Sequence, residues 1–359
     1  VQDLNKALQE NPEDPTLIAY TANADNYVGK WKRALRLLER AQHLMPENED
    51  IALLRRDIWL ERSQHAKLDY EWLKIGDSDQ NIWSLSGLVY ATDDLEIGAV
   101  LQRNDIDAEQ VRRADGRIGN FEDTKERGEI FVAHENEEGS RIQGSLFANN
   151  ETLGVGAYYS WFHDYGMSKI YGELFRPNWD FVEGVLDDLT RDRIGYSHFY
   201  RYDPLWTLLG DVALNRYNYG SDDTNIASSV SFTGSLTRML RESAPYLALN
   251  YGLDAEYRVS EDARVDALGE RYNPLLDSRE VHTLSGIIAE RFTENTEGIL
   301  QAGYSFDRLG GDGPVVSGEL NQQLLNDRLE LQLRASYGAR TSDSEGDTAR
   351  AGGYLKWRF

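Results

Sequence analysis

The sequence predicts a mainly β protein: a transmembrane antiparallel β-barrel of about sixteen strands, preceded by a short α-helical segment. Three observations carry this reading. The apolar period changes from helical to two near residue 67. Connections between the period-two segments alternate between short and long. The last segment sets Ala351, Gly353, Leu355, Trp357 and Phe359 on one face and ends on an aromatic residue.

Over residues 1–66, apolar side chains recur every three or four positions: Leu35, Leu38, Ala41 and Leu44, then Leu54 and Ile58. Pro12 and Pro46 close two of these stretches and stand 34 residues apart, and the same step pairs Leu4 with Leu38 and Ala7 with Ala41. That period, with small residues where helices touch and a proline at the exit, resembles the tetratricopeptide repeat. Ala22, Ala34, Leu38, Ala41 and Pro46 stand at matching positions, while Thr21 and Asp25 depart from the usual leucine and tyrosine. One and a half repeats cannot bury their faces alone, so this reading expects more repeats upstream and a chain cut from a longer precursor.

From residue 67 to 359 the alternation is that of strands. Residues 246–258 set Leu247, Leu249, Tyr251, Leu253, Ala255 and Tyr257 against Ala248, Asn250, Gly252, Asp254, Glu256 and Arg258. Residues 328–340 and 152–162 repeat the pattern. Apolar on one face and polar or glycine on the other suits a strand between lipid and a wet lumen, and aromatics at strand ends suit interface girdles. Segments fall at 67–76, 81–91, 95–104, 128–134, 140–148, 152–162, 168–175, 193–202, 205–216, 225–240, 246–258, 281–292, 297–307, 315–325, 328–340 and 348–359. Connections after even-numbered segments are short, such as Thr92-Asp93-Asp94, Asp203-Pro204 and Asn326-Asp327. Those at 105–127, 176–192 and 259–280 are long. An even count returns both ends to the short-turn side, which in a bacterial outer membrane is the periplasm.

Composition narrows the classes. The chain has 359 residues and no cysteine, which excludes a disulfide framework, a zinc–cysteine site and a thiol nucleophile. Its formal charge of −23 argues against nucleic acid. No run of about 18 apolar residues offers a transmembrane helix. No cofactor is implied: His134, His163, His198 and His282 lack metal-ligand spacing. Gly310-Gly311-Asp312-Gly313 reads as a flexible hairpin rather than a phosphate loop. His163-Asp164 beside a strand end is weak as an acid–base pair, so no catalytic residue is assigned.

Residues 1–66 carry a net −2 and the remainder −21, so the excess acid lies in the barrel half. The alternation turns Asp211, Asp254, Glu256, Asp307, Glu319 and Glu330 inward, and with them Arg328, Arg334, Arg340, Arg350, Lys356 and Arg358. Acid in a narrow lumen attracts cations. Acid in loops, as at Asp105-Ile106-Asp107 and Asp222-Asp223, serves solvation instead. Tyr158, Phe162, Phe199 and Tyr354 are inward or near strand ends, where sugar rings could stack or where an interface girdle would sit. In the connection 176–192, Phe181, Val182, Val185, Leu186 and Leu189 fall at helical spacing between Asp180, Glu183, Asp187 and Asp188. This short amphipathic helix is a candidate gating loop that folds into the pore, the alternative being an ordinary extracellular loop that packs on the rim.

A tetratricopeptide segment running into a C-terminal barrel resembles the outer-membrane exporters of bacterial exopolysaccharides, including those of the Pel polysaccharide, poly-N-acetylglucosamine and cellulose. The terminal Leu355, Trp357 and Phe359 resemble the signal that the barrel assembly machinery reads. The resemblance implies an outer-membrane porin that exports a growing glycan for the biofilm matrix, with its helical segment in the periplasm docking synthase or polymer-modifying enzymes. Of the three, a Pel-type exporter fits best, because a partly deacetylated amino-sugar polymer is cationic and the six inward acids would line its path. A ring-forming outer-membrane lipoprotein is then an expected partner. The alternatives are a general or substrate-specific porin and a barrel-anchored scaffold. Deleting Phe359 is predicted to impair assembly, measured as loss of the heat-modifiable folded band on a gel; normal folded barrel would refute the terminal signal.

Overall fold

The computed structural model of the chain describes residues 2–113, 115–203, 205–219, 225–266, 268–272, 278–338 and 347–359. Pro204, Asp222, Asp223 and Arg340 lie outside the described residues.

Four helices come first: α1 (Gln2–Glu10), α2 (Pro15–Tyr27), α3 (Trp31–Leu44) and α4 (Glu49–Arg62). Asp14 starts α2, its carboxylate accepting from the N–H groups of Thr16 and Leu17, with Pro15 in the first turn, where its missing N–H costs nothing. Asn48 starts α4 in the same way through Ile51. Ile18, Ala22, Trp31, Ala34, Leu38, Ala41, Ile51 and Ile58 form the core between the helices. Thr21 and Asp25 are buried in it too. The Thr21 hydroxyl donates to the Leu17 carbonyl at 2.8 Å, and Asp25 is 3.3 Å from Arg33, so both polar groups have partners.

The barrel follows in sixteen strands: β1 (His65–Ile75), β2 (Ser78–Thr92), β3 (Leu95–Arg112), β4 (Ile118–Glu135), β5 (Arg141–Asn149), β6 (Leu153–His163), β7 (Gly166–Pro177), β8 (Leu189–Asp203), β9 (Trp206–Tyr219), β10 (Ala227–Arg241), β11 (Tyr246–Glu261), β14 (Arg279–Thr293), β15 (Thr296–Asp307), β16 (Asp312–Leu324), β17 (Leu329–Gly338) and β18 (Thr348–Arg358). A short helix, α5 (Val182–Leu186), lies between β7 and β8, and a small hairpin, β12 (Arg264–Val265) with β13 (Arg271–Tyr272), between β11 and β14. Each barrel strand pairs antiparallel with its neighbours in sequence order. β1 closes the ring on β18, from His65 opposite Arg358 to Ile75 opposite Thr348. Leu68, Leu101, Ile130, Leu214, Leu300 and Leu355 are among the outward side chains left exposed. Lipid is the solvent for which that face is built.

Of the three connections expected to be long, the one at 105–127 is largely strand and the other two are shortened by strand extensions. β3 runs to Arg112 and β4 starts at Ile118, leaving only a short link in the span 105–127. Over this stretch the alternation inverts: Ile106 and Ala108 point inward and are buried, while Arg103, Asp107, Glu122 and Glu126 are exposed outside. A strand that projects past the bilayer faces water outside, so the lipid-type pattern disappears although the ladder continues. β8 likewise starts at Leu189 and β11 reaches Glu261. Asp105 and Asp107, attributed to a loop, therefore sit on the outer face of the projecting β3.

At the other end, Arg358 is 2 % exposed and joins the helices to the barrel. Its guanidinium donates to the Leu60 carbonyl of α4 (3.1 Å), to Gln323 (3.0 Å), to the Asp327 carbonyl (3.0 Å) and to the Glu330 carboxylate. The Phe359 N–H adds a bond to the Gln64 carbonyl at 3.1 Å. Arg358→Met leaves Glu330 buried without its cation and removes these bonds, at a cost of about 3 kcal/mol or more. Urea unfolding of the refolded barrel should show that loss; an unchanged midpoint would contradict the role given to Arg358.

Candidate functional site: the lumen and its mouths

All six acids expected inside are on the lumen face, but they are not alike. Asp211 on β9 accepts from the Tyr171 hydroxyl (2.9 Å) and from Arg193 (2.8 Å). Glu256 on β11 is buried, accepts from Tyr217 (2.7 Å) and Ser229 (2.5 Å), and lies 3.7 Å from Arg279. Glu330 is held by Tyr354 and Arg358. Asp307 is 1 % exposed and accepts the backbone N–H groups of Glu280 and Leu309, which fixes the end of β15. Two remain open to the lumen. The Asp254 side chain is 50 % exposed with Arg279 at 3.5 Å, and exposed Glu319 accepts one long bond (3.4 Å) from Gln332.

Basic partners on neighbouring strands thus neutralise most of the six acids, because closely spaced charges in a low-dielectric tube are stable mainly as pairs. Sequence reading also missed a second charged wall. Lys67, Asp69 and Glu71 alternate inward on β1 and meet Arg334 of β17, at 2.8 Å from Asp69 and 3.0 Å from Glu71. Glu96 of β3 pairs with Arg141 of β5 at 2.5 Å. The Lys67-x-Asp69-x-Glu71 spacing was the available signal for the first of these. Arg334, Arg350, Lys356 and Arg358 point inward as expected; Arg328 instead lies exposed in the turn before β17.

The four aromatics do not form one row. Tyr158 is inward on β6 with the Lys169 ammonium 4.9 Å from its ring. Phe162 lies further along β6, under Gly29 of the helical segment, where a Cβ would run into its ring. Phe199 is inward on β8. Tyr354 is inward on β18, across the barrel from β8, with Lys67 4.1 Å from its ring. A continuous slide through all four is excluded by the strand order. His163 stacks on His198 at 5.1 Å on the outer face, away from any lumen chemistry.

The connection between β7 and β8 turns into the lumen. Val185 and Leu186 of α5 are fully buried against inward Ile106 and Ala108 of β3, beside Phe121 of β4. Phe181 packs at 5.9 Å against Tyr217 of β9 and near Ile226. The segment thus stretches between the β3–β4 wall and the β9–β10 wall. Its acids are its anchors: Asp180 to Arg191 (2.7 Å), Asp187 to Arg113 (2.7 Å) and Asp188 to Lys125 (2.5 Å), with Arg113 also reaching the Leu186 carbonyl at 2.7 Å. Glu183 lies in the first turn of α5, and its carbonyl accepts from the Asp187 N–H at 2.9 Å. The β12–β13 hairpin comes across to the same place. The Tyr272 hydroxyl donates to the Arg113 carbonyl at 2.8 Å, and Asp266 is 3.1 Å from Arg112. A chain holding Arg113→Ala and Lys125→Ala should therefore show larger single-channel conductance in a planar bilayer. Conductance equal to that of the unmodified chain would show that the segment does not constrict the lumen.

No protein-family model matches the sequence, and no curated protein does. The fold has similar solved structures. A bacterial polysaccharide outer membrane secretin aligns with a TM-score of 0.61 at 12% identity, covering 83% of this chain and 98% of that one. OccK11 of Pseudomonas aeruginosa aligns at 0.43 with 13% identity (83% and 96% covered), and Salmonella typhi OmpF at 0.41 with 10% identity (82% and 96% covered). The chain has the closed, porin-like fold of an outer-membrane β-barrel.

Proposed function

We propose that this barrel is a conduit for a secreted exopolysaccharide, and that its cargo is a cationic, partly deacetylated amino-sugar polymer of the Pel type. The observation that carries this reading is the unevenness of the lumen. One sector, from β10 to β16, presents mostly neutral hydroxyl and amide side chains, with the Glu256–Arg279 pair at one end and the two more open acids, Asp254 and Glu319. A polyhydroxyl chain can exchange its water for such groups bond by bond, and its ammonium groups meet Glu319, which accepts only from Gln332 at 3.4 Å, and Asp254, half exposed beside Arg279 at 3.5 Å. The charged walls elsewhere, being internally paired, offer a passing polymer little to hold it. The likeness to a polysaccharide secretin supports the same reading at the level of the fold.

In this reading the α5 segment is the outer gate and the helical segment lies in the periplasm, extending a repeat array that docks polymer-modifying or synthase components. A ring-forming outer-membrane lipoprotein is the expected partner at the membrane, and Leu355, Trp357 and Phe359 present their apolar face to the assembly machinery. Asp254→Asn combined with Glu319→Gln should lower export of a cationic glycan several-fold at equal levels of folded barrel, whereas Asp211→Asn should mainly reduce barrel stability. Export at the unmodified level in the double variant would remove the open acids from the transport path.

A further inference from the structure

The helical segment does not hang from the end of β1; it is fastened to the short-turn rim at widely separated points. At the turn between β4 and β5, Lys30 reaches Glu138 (2.5 Å) and Arg36 reaches Glu137 (3.1 Å). Lys32 meets Asp94 in the turn between β2 and β3 at 2.7 Å, and Trp31 donates to Glu135. The Lys32 hydrogen bond and charge hold the Asp94 carboxyl below the ordinary carboxylate range. The Tyr27 hydroxyl donates to the Arg201 carbonyl on β8 at 3.4 Å, and Gly29, in the left-handed region at φ +81°, packs against Phe162 and Gly139. Across the ring, Arg56 reaches Asp327 (2.5 Å), Asn295 (2.7 Å) and the Glu294 carbonyl (3.2 Å). In the strand order, the β4–β5 turn and the β14–β15 turn lie on opposite sides of the barrel. The helices therefore straddle the mouth.

Following these fastenings round the ring leaves one sector bare. They fall at β8, β6, β4–β5, β2–β3, β18, β16–β17 and β14–β15; among the described residues none reaches the turn Glu242-Ser243-Ala244 between β10 and β11, which is exposed. Behind that sector the inner face of β10 carries a hydroxyl at five successive inward positions, Ser229, Ser231, Thr233, Ser235 and Thr237, with Asn250 bonded to Thr237 at 2.8 Å. At the far end of the row, Asn215 is 6 % exposed and donates to Ser229 and Ser231 at 3.0 Å, while its carbonyl oxygen has no protein partner.

We propose that the four helices are an electrostatically fastened cover over the short-turn mouth, and that they leave a single inlet at β9–β11 through which a polyhydroxyl chain meets the hydroxyl row of β10. The choice of a polyhydroxyl chain rests on the conduit reading above; the position of the inlet does not. The basic residues are on α3, α4 and the turn before α3, and the acids are on the barrel turns, so the cover is held by complementary charge as well as by the packing around Trp31 and Gly29. Salt screens the exposed Arg36–Glu137 pair most and the partly buried Lys32–Asp94 and Arg56–Asp327 pairs less, so the fastening should weaken as ionic strength rises, first at Arg36.

The chain has no cysteine, which permits a direct test in the intact protein. Thr237→Cys on β10 and Leu88→Cys on β2 each place one thiol inward, at equal depth from the short-turn end of its strand. A charged, membrane-impermeant methanethiosulfonate is added on the helix side of the reconstituted barrel, after each variant is shown to be folded by heat-modifiable mobility. Thr237→Cys should react about tenfold faster than Leu88→Cys, and the two rates should converge in high salt or when Lys32→Glu, Arg36→Glu and Arg56→Glu are added. Equal rates with the cover intact, or a faster Leu88→Cys, would overturn the inlet. A difference that survives both high salt and charge reversal would overturn the electrostatic fastening. The readout needs no cargo, so it can fail while the conduit reading stands, or succeed while that reading fails.

Discussion

Everything in this molecule depends on the pairing of β1 with β18. A backbone in lipid has no water to bond, and each unsatisfied N–H or C=O there costs several kcal/mol. An open sheet of sixteen strands would expose two such edges; one continuous ladder from His65–Arg358 to Ile75–Thr348 removes both. Closure then assigns the faces. Every outward position must suit lipid over the height of the bilayer, and every inward position must suit water or a partner across the strands.

The inner face shows what a tube does to charge. Arg193 with Asp211, Arg334 with Asp69 and Glu71, and Arg141 with Glu96 join side chains that are distant in sequence and adjacent only by register. These pairs line the wall without giving it one sign. The ends are treated alike: Asp187 and Asp188 hold a segment inside one mouth, while Lys32 and Arg56 hold helices across the other. Charge here works chiefly as a fastener, and the acids available to a solute are few.

How much of this could be read in advance follows from the same physics. β11 and β17 were legible because lipid and lumen impose opposite demands on alternate residues. The outer halves of β3 and β4 were not, since a strand that projects into water loses the apolar outer face by which it would be known. Parity also placed Asp254, Glu256 and Glu319 inward. It could not say that Glu256 would be buried under Tyr217 and Ser229 while Asp254 stayed open, because that depends on which strand lies beside which residue. The same limit hid the separation of Tyr354 from Phe199. Arg358 was read as one more basic residue in the lumen, whereas its partners come from α4, β16 and β17.

The claim that the solute-facing charge is acidic, although the lumen as a whole is paired, is tested most directly by the reversal potential of the refolded chain in a planar bilayer under a salt gradient. The account predicts a cation-selective barrel, with selectivity set by the open acids of the β10–β16 sector. Anion selectivity, or none, would contradict it and turn the cargo towards a neutral glycan.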